Sequence, residues 1–267
     1  MKIAIDAGHG KDGDPGAVGP YGTREADVTL ELAVQTGNLL LALGHLVVIC
    51  DRSLYSSERA VEATKQGCDL LVSLHTNAGS SQARGIEAWF CHGNINGQKL
   101  ASSILRLLTV ETGEPSRGVK DDQDWKPAKD PTWTGGMGIL RNFPGPGALL
   151  ELCFISNPVE EKLLTNPEFI QKCAHAISLG IQDFINSWKK EAKAMGNPGP
   201  NLDPFPDLPA DRWQGRAREM VLALQKYGIV SGYEDGTFRP DQPITRLEAV
   251  ALIYKTLASL EIVPKIE

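Results

Sequence analysis

Four residues in this sequence have side chains and settings suited to hydrolysis at a metal ion. His9 follows the apolar run K-I-A-I-D-A, Glu25 stands where a helical period begins, His75 closes L-L-V-S-L-H, and Glu151 lies in A-L-L-E-L. Two imidazoles and one carboxylate are the donor set of a catalytic zinc site, which leaves a fourth position for water or substrate. Glu151 is then a candidate fourth functional group, a carboxylate able to move a proton. No compact H-E-x-x-H signature ties the four together. Each also has a plainer reading: a histidine after a strand is commonly a hydrogen-bonded loop residue, and Glu25 suits a helix N-terminus through the macrodipole. From spacing alone the metal hydrolase and the ordinary scaffold stand side by side. Among the remaining polar residues, Asn77 is placed to contact substrate or to cap a loop. Arg141, in G-I-L-R-N, is placed to hold a peptide carboxylate or to form a surface ion pair. His45 and His175 suit structural or exposed positions, and His92 stays open.

For those four to meet, strands must deliver them to one edge of a sheet. Apolar runs at 2–5, 46–50, 70–74, 86–90 and 148–152 alternate with helical periods at 26–43, 57–66, 97–112 and 168–188. That alternation predicts an α/β domain with a mainly parallel sheet, in which the carboxyl ends of the strands gather at one edge. Residues 114–138, with Trp125, Pro127, Pro131 and Trp133, lack periodicity and read as a long loop walling a substrate groove. Gly8-His9-Gly10-Lys11-Asp12-Gly13 matches G-x-G-x-x-G literally. A dinucleotide site needs a helix to begin on those glycines, whereas K-D-G-D-P-G-A-V-G-P-Y-G continues as loop, so that reading fails.

Composition narrows the class further. Lys and Arg total 27 against 33 Asp and Glu, a net charge of −6, which argues against a partner bound through nucleic-acid phosphates. No apolar run is long enough to span a membrane. The 5 cysteines are widely spaced, without a C-x-x-C pair, and read as free thiols of a reducing compartment. The opening M-K-I-A-I-D-A-G-H-G carries no export signal. The expectation is synthesis in the cytoplasm, or secretion had a leader been trimmed.

Residues 190–204 hold the prolines and glycines of a linker, which divides the chain into a domain at 1–189 and a smaller one at 205–267. In the latter, 212–227 and 245–260 show helical periods around a glycine-rich turn. Thr245 and Glu248 form the T-x-x-E capping box of the second helix, so Glu248 needs no other role. A calcium loop there is rejected, because Ser231, Tyr233 and Gln242 would fall at ligand positions and two of the three are wrong for calcium.

The blocks D-A-G-H-G, G-A-V-G-P-Y-G-T-R-E-A-D, L-V-S-L-H-T-N-A, G-I-E-A-W-F and L-L-E-L-C-F-I-S-N-P-V-E-E-K-L-L resemble, in order, the zinc-dependent N-acetylmuramoyl-L-alanine amidases of the amidase-3 type. The resemblance covers residues 1 to about 188. It implies a twisted, mostly parallel sheet flanked by helices, Zn2+ held by His9, Glu25 and His75, Glu151 as the catalytic glutamate, and peptidoglycan as substrate. A wall-binding protein without activity and a zinc peptidase or deacylase acting on another amide are the alternatives. Downstream, F-P-D-L-P, Trp213 and Y-G-I-V-S-G-Y-E-D-G-T-F-R-P-D-Q-P-I-T-R-L-E-A resemble one S-layer homology repeat. That resemblance implies a small helical domain binding a secondary cell-wall polymer, with Asp207, Trp213, Tyr233 and Arg246 as contacts. Such repeats commonly occur in threes, and one copy leads to the expectation of weak binding or of a homotrimer assembled through it. Together, the two resemblances and the missing export signal suggest an endolysin-like enzyme made in the cytoplasm and acting on the wall after release, for host lysis.

Overall fold

The computed structural model describes residues 1–125 and 135–194, and in the C-terminal segment residues 221, 224, 229–230, 238–239 and 242–259. The chain divides into two compact units, Met1–Asn197 and Pro198–Glu267. In the first, strands β1 (Lys2–Ala7), β2 (Leu46–Ile49), β3 (Leu70–Asn77), β4 (Ile86–Phe90), β5 (Ser116–Asp121) and β6 (Gly147–Phe154) form one sheet in the order β2-β1-β3-β6-β4-β5. Every adjacent pair is parallel except β4 with β6. Helices α1 (Glu25–Ala42), α2 (Ser56–Lys65), α3 (Ile95–Thr112), α4 (Gly138–Arg141), α5 (Pro158–Leu164) and α6 (Pro167–Ala194) flank it. The expected α/β class with a mostly parallel sheet is the one that forms.

A two-residue alternation along the strands sorts the side chains onto the two faces. One face carries Ile3, Ile5, Leu70, Val72, Leu74, Ala88, Ala148, Leu150 and Leu152, all buried against apolar residues of α1, α3 and α6. On the other face Ala4, Leu71, Trp89 and Leu149 pack with Ala60 and Ala63 of α2 and with Ile139 and Leu140 of α4. The polar members of that second set are Asp6, Ser73, His75, Glu87 and Glu151. They continue it towards the carboxyl edge of the parallel strands, so the periodicity that builds the core also lines up the polar groups.

The strand order 2-1-3 places a topological switch between β1 and β3, where a crevice opens beyond their carboxyl ends. His9 follows β1 and His75 belongs to β3.

Three elements depart from the sequence expectation. β5 lies inside the stretch read as loop: S-R-G-V-K-D has little apolar content, because it is the edge strand and its charged residues protect an exposed ladder. β3 runs on to Asn77, which puts His75 within the strand and not at its end. Helix α6 continues through Ala194 into the stretch read as linker, since K-K-E-A-K-A contains only good helix formers and the first breaker is Gly196.

In the second unit, helix α7 (Arg246–Ser259) begins as the capping box requires. The Thr245 amide donates to Glu248 Oε2 at 2.6 Å and the Glu248 amide to Thr245 Oγ1 at 3.2 Å. Arg246 is exposed in the first turn. Asp207, Trp213 and Tyr233 lie outside the described residues, as do 126–134 of the expected groove wall and most of the helix expected at 212–227.

Candidate metal centre

His9, Glu25 and His75 converge at the switch point, each offering a ligand atom within 4.8 Å of the others. Glu25 opens α1 and is 3% exposed. Its Oε2 lies 3.1 Å from His9 Nε2 and its Oε1 3.1 Å from His75 Nδ1. Each oxygen also accepts a backbone amide at 2.9 Å, Oε2 from Ala17 and Oε1 from Thr76. Burial alone would raise the Glu25 pKa, but the two imidazoles outweigh it and hold the carboxyl well below the usual range. Burial likewise works against a charged His9, yet Glu25 and Asp14 override it and lift His9 to about 9. His75 is raised in the same way by Glu25, with Glu151 adding to the effect. The pocket is thus tuned to hold positive charge on its imidazoles or between them.

Backbone geometry presses the donors together. His9 itself has a left-handed φ of 65°. A Cβ on Gly8 would collide with the His75 ring, and one on Gly16, at φ +67°, would stand 2.6 Å from both Glu25 Oε2 and His9 Cδ2. These two glycines let backbone replace side chain around the donors.

Beneath them lies a layer invisible to spacing. Asp14 Oδ2 sits 2.7 Å from His9 Nδ1, so the ring is oriented by a carboxylate on its far nitrogen. Arg59, 3% exposed, donates to Asp6 Oδ1, to the carbonyls of Ala7 and His9, and to those of Leu54 and Arg52. Ser73 Oγ completes Asp6 at 2.6 Å. Arg52 adds donations to the His9 and Ala26 carbonyls, and Thr29 Oγ1 to that of Gly8. A cavity of about 370 Å³ lined by Asp6, Gly8, His9, Asp14, Tyr55 and His75 opens beside this scaffold.

Glu151 faces His75 in the β3–β6 ladder. Its Oε2 is buried with no hydrogen-bond partner among the described residues. Burial pushes its pKa up to about 7, against the pull of His75. A carboxylate with a free buried oxygen, beside a nest of metal donors and titrating near neutrality, has the properties of a general base.

The chain from 3 to 183 matches the family described as N-acetylmuramoyl-L-alanine amidase, the Amidase_3 type. The chain belongs to this amidase family. Residues 204–250 match the S-layer homology domain. AmiC of Neisseria meningitidis, an N-acetylmuramoyl-L-alanine amidase, is 29% identical over 224 residues, 69% of this chain and 53% of that protein. The chain thus spans about half the length of that relative. The solved amidase of Clostridium difficile 630 superposes with a TM-score of 0.61 at 26% identity, covering 70% of this chain and 97% of that one. Over the C-terminal part, SlpA of Thermus thermophilus, an outer membrane protein, is 44% identical across 63 residues, 24% of this chain and 6% of that protein. No helix among the described residues of this amidase-family chain is long and apolar enough to cross a membrane.

Of the other sequence candidates, Asn77 ends β3 opposite Phe154 and is half-buried. Arg141 is committed to Asp122, with contacts of 3.1 and 3.2 Å to its two oxygens, and Asp122 is fully buried. His45 meets Gln182 at 2.9 Å, and His92 pairs with Asp121 at 2.8 Å. Asp14, Arg59 and Glu87 escaped the sequence reading. A short loop carrying K-D-G-D between a histidine and the next helix was the available signal for Asp14; Arg59 and Glu87 had none, since their charged partners lie far away in sequence.

Proposed function

We propose that the chain is a zinc-dependent N-acetylmuramoyl-L-alanine amidase, which cleaves the amide between N-acetylmuramic acid and L-alanine in peptidoglycan. The observation that carries the proposal is the buried Glu151 oxygen, without a partner among the described residues, next to the converged His9, Glu25 and His75, in a chain of this family. The donors fit a zinc ion: two nitrogens and a carboxylate oxygen in one nest, with glycines at the two closest approaches. Zinc bound there would supply Lewis-acid polarisation of the scissile carbonyl and acidify a water towards a pKa of ~7.

The chain's own residues do the rest. Asp14 fixes the His9 ring, and the two backbone amides on Glu25 hold its carboxylate in register with both imidazoles. Glu151 takes a proton from the attacking water as the oxygen joins the lactyl carbonyl carbon. As the carbon–nitrogen bond breaks, Glu151 returns that proton to the departing L-alanine amine. Such proton transfer contributes on the order of 10²–10⁴-fold. Asn77, on the same edge, is proposed to contact substrate.

The S-layer homology match supports association with the cell wall. We assign the domain that ends with α6 at Ala194 to catalysis, the proline- and glycine-rich stretch from there to 204 to the linker and 205–267 to binding of a secondary wall polymer, with Asp207, Trp213, Tyr233 and Arg246 as contacts. A homotrimer would bring three such repeats together, and light scattering at high concentration tests it: a strictly monomeric mass removes it. All 5 cysteines are free, and Cys50, Cys153 and Cys173 are buried, which suits synthesis in a reducing compartment and release at host lysis. The test of the main proposal is clearing of a peptidoglycan suspension before and after chelation, with activity restored by zinc. A chelated protein that clears the suspension at the full rate refutes it.

A further inference from the structure

On the side of Glu151 away from His75, the ladder brings Glu87 of β4 directly opposite. Glu87 is 4% exposed and fully partnered. Its Oε1 accepts Trp89 Nε1 at 3.2 Å, while its Oε2 accepts both Arg117 Nε at 2.8 Å and Lys120 Nζ at 2.7 Å. One buried carboxylate is therefore held by two cations, both from the edge strand β5, in a chain whose net charge is −6. A single cation suffices to neutralise Glu87, so the second is free to answer another carboxylate. Arg117 and Lys120 are 39% and 32% exposed, and each lies over an aromatic ring, of Phe154 and Trp89 respectively. The rings sit under the charged heads, which Glu87 also holds, so each head is fixed in place while its side chain stays about a third exposed.

The neighbouring charges are accounted for elsewhere. Asp121 turns to His92, Asp122 to Arg141, and Arg84 to Glu114. On the opposite shoulder, after β1, the charges pair one to one, Lys11 with Asp12 and His9 with Asp14. Two cations on one buried carboxylate set the β5 shoulder apart from these single pairs.

We propose that Arg117 and Lys120 form a carboxylate-binding subsite for the stem peptide on the leaving-group side of Glu151, an inference that rests on the amidase reading above. Glu151 must lie against the departing amine to return its proton, so the peptide passes over β4 and β5 while the glycan lies towards β1. Strands are spaced by about 4.8 Å, which puts the two cations roughly 5–10 Å beyond Glu151. An extended peptide advances about 3.4 Å per residue, so the group met there is a carboxylate on the second or third residue of the stem.

The test compares native peptidoglycan with the same material after its stem carboxylates have been converted to amides with carbodiimide and ammonia. The full chain, Arg117→Gln, Lys120→Met and Lys120→Arg are assayed on both, with zinc content and thermal melting alongside. Each single variant leaves Glu87 one cation. On amidated wall the unaltered protein is expected to lose roughly 10–100-fold in kcat/KM, expressed in KM, as for one charge-assisted hydrogen bond. Arg117→Gln and Lys120→Met should show that loss already on native wall and little further response to amidation, with zinc content unchanged and Lys120→Arg restored. Equal cleavage of both walls by the unaltered protein, or variants still as sensitive to amidation, overturns the subsite and leaves the amidase reading standing. Failure to cleave either wall overturns the amidase reading, and the subsite with it.

Discussion

Glu151 stands opposite His75 in the β3–β6 ladder and opposite Glu87 in the β6–β4 ladder, so a single residue row joins one candidate metal donor, the candidate base and a buried carboxylate. Adjacent strands running in opposite directions make this possible: β4 enters the row near its beginning, whereas β3 and β6 enter it near their ends.

The proton transfers proposed for Glu151 can be tested by substitution. Glu151→Gln keeps the shape but removes the base, and the rate of peptidoglycan hydrolysis should fall by ~10²–10⁴-fold. Metal content should be unchanged, because Glu151 is not a donor. His75→Ala should lose both metal and activity. Metal analysis beside a turbidity assay separates the two variants, and full activity in Glu151→Gln refutes the assignment.

Burial raises Glu151 to about 7, and the base must be ionised to accept a proton. The rate should therefore climb with pH as Glu151 ionises and level off above that step. A profile of kcat/KM that is flat between about pH 5 and 8 contradicts the role.

The same shift has a consequence for stability. A carboxyl with its pKa raised from 4.5 to about 7 binds more protons folded than unfolded, so it costs the fold nothing at acid pH and a growing penalty as pH rises towards neutrality. Glu151→Gln lacks that penalty. After chelation the variant should match the unaltered protein near pH ~4.5 and exceed it above pH ~7 by roughly 1–3 kcal/mol, read by urea titration. A difference independent of pH contradicts this account.

How far the sequence reveals this site depends on the range of each contact. His9, His75 and Glu151 were legible because strand ends in a parallel sheet share an edge, and each ends or interrupts an apolar run. Glu25 was legible as the first residue of a strong helical period. Arg59 was not: it sits on α2 and reaches Asp6, 53 positions away, through a register that only the folded sheet defines. β5 was hidden for a related reason, since an edge strand rich in charge has no apolar alternation, and with it went the cations that meet Glu87.

Arg59 and Asp6 form a buried pair under the metal loop. Arg59→Met leaves Asp6 without its cation, takes one donor from the Ala7 carbonyl and leaves the His9 carbonyl with Arg52. The expected loss is roughly 3–5 kcal/mol, and at about 2–4 °C per kcal/mol for a domain of this size the melting temperature should fall clearly. A variant melting within a degree of the unaltered protein shows that the pair does not hold the loop.

Asp14 tests the orienting layer more gently. Asp14→Asn keeps a hydrogen-bonding group beside His9 and removes its charge. Zinc affinity, measured by competition with a chelator, should weaken by about 10–100-fold with the fold intact. Unchanged affinity means the carboxylate does not act through His9.

The central claim is the bond that is cut. Peptidoglycan digested with the full chain and analysed by mass spectrometry should yield stem peptides with a free L-alanine amine and glycan strands whose muramic acid bears a free lactyl carboxyl. Fragments cut within the stem or between sugars, with every muramoyl–alanine amide intact, would contradict it.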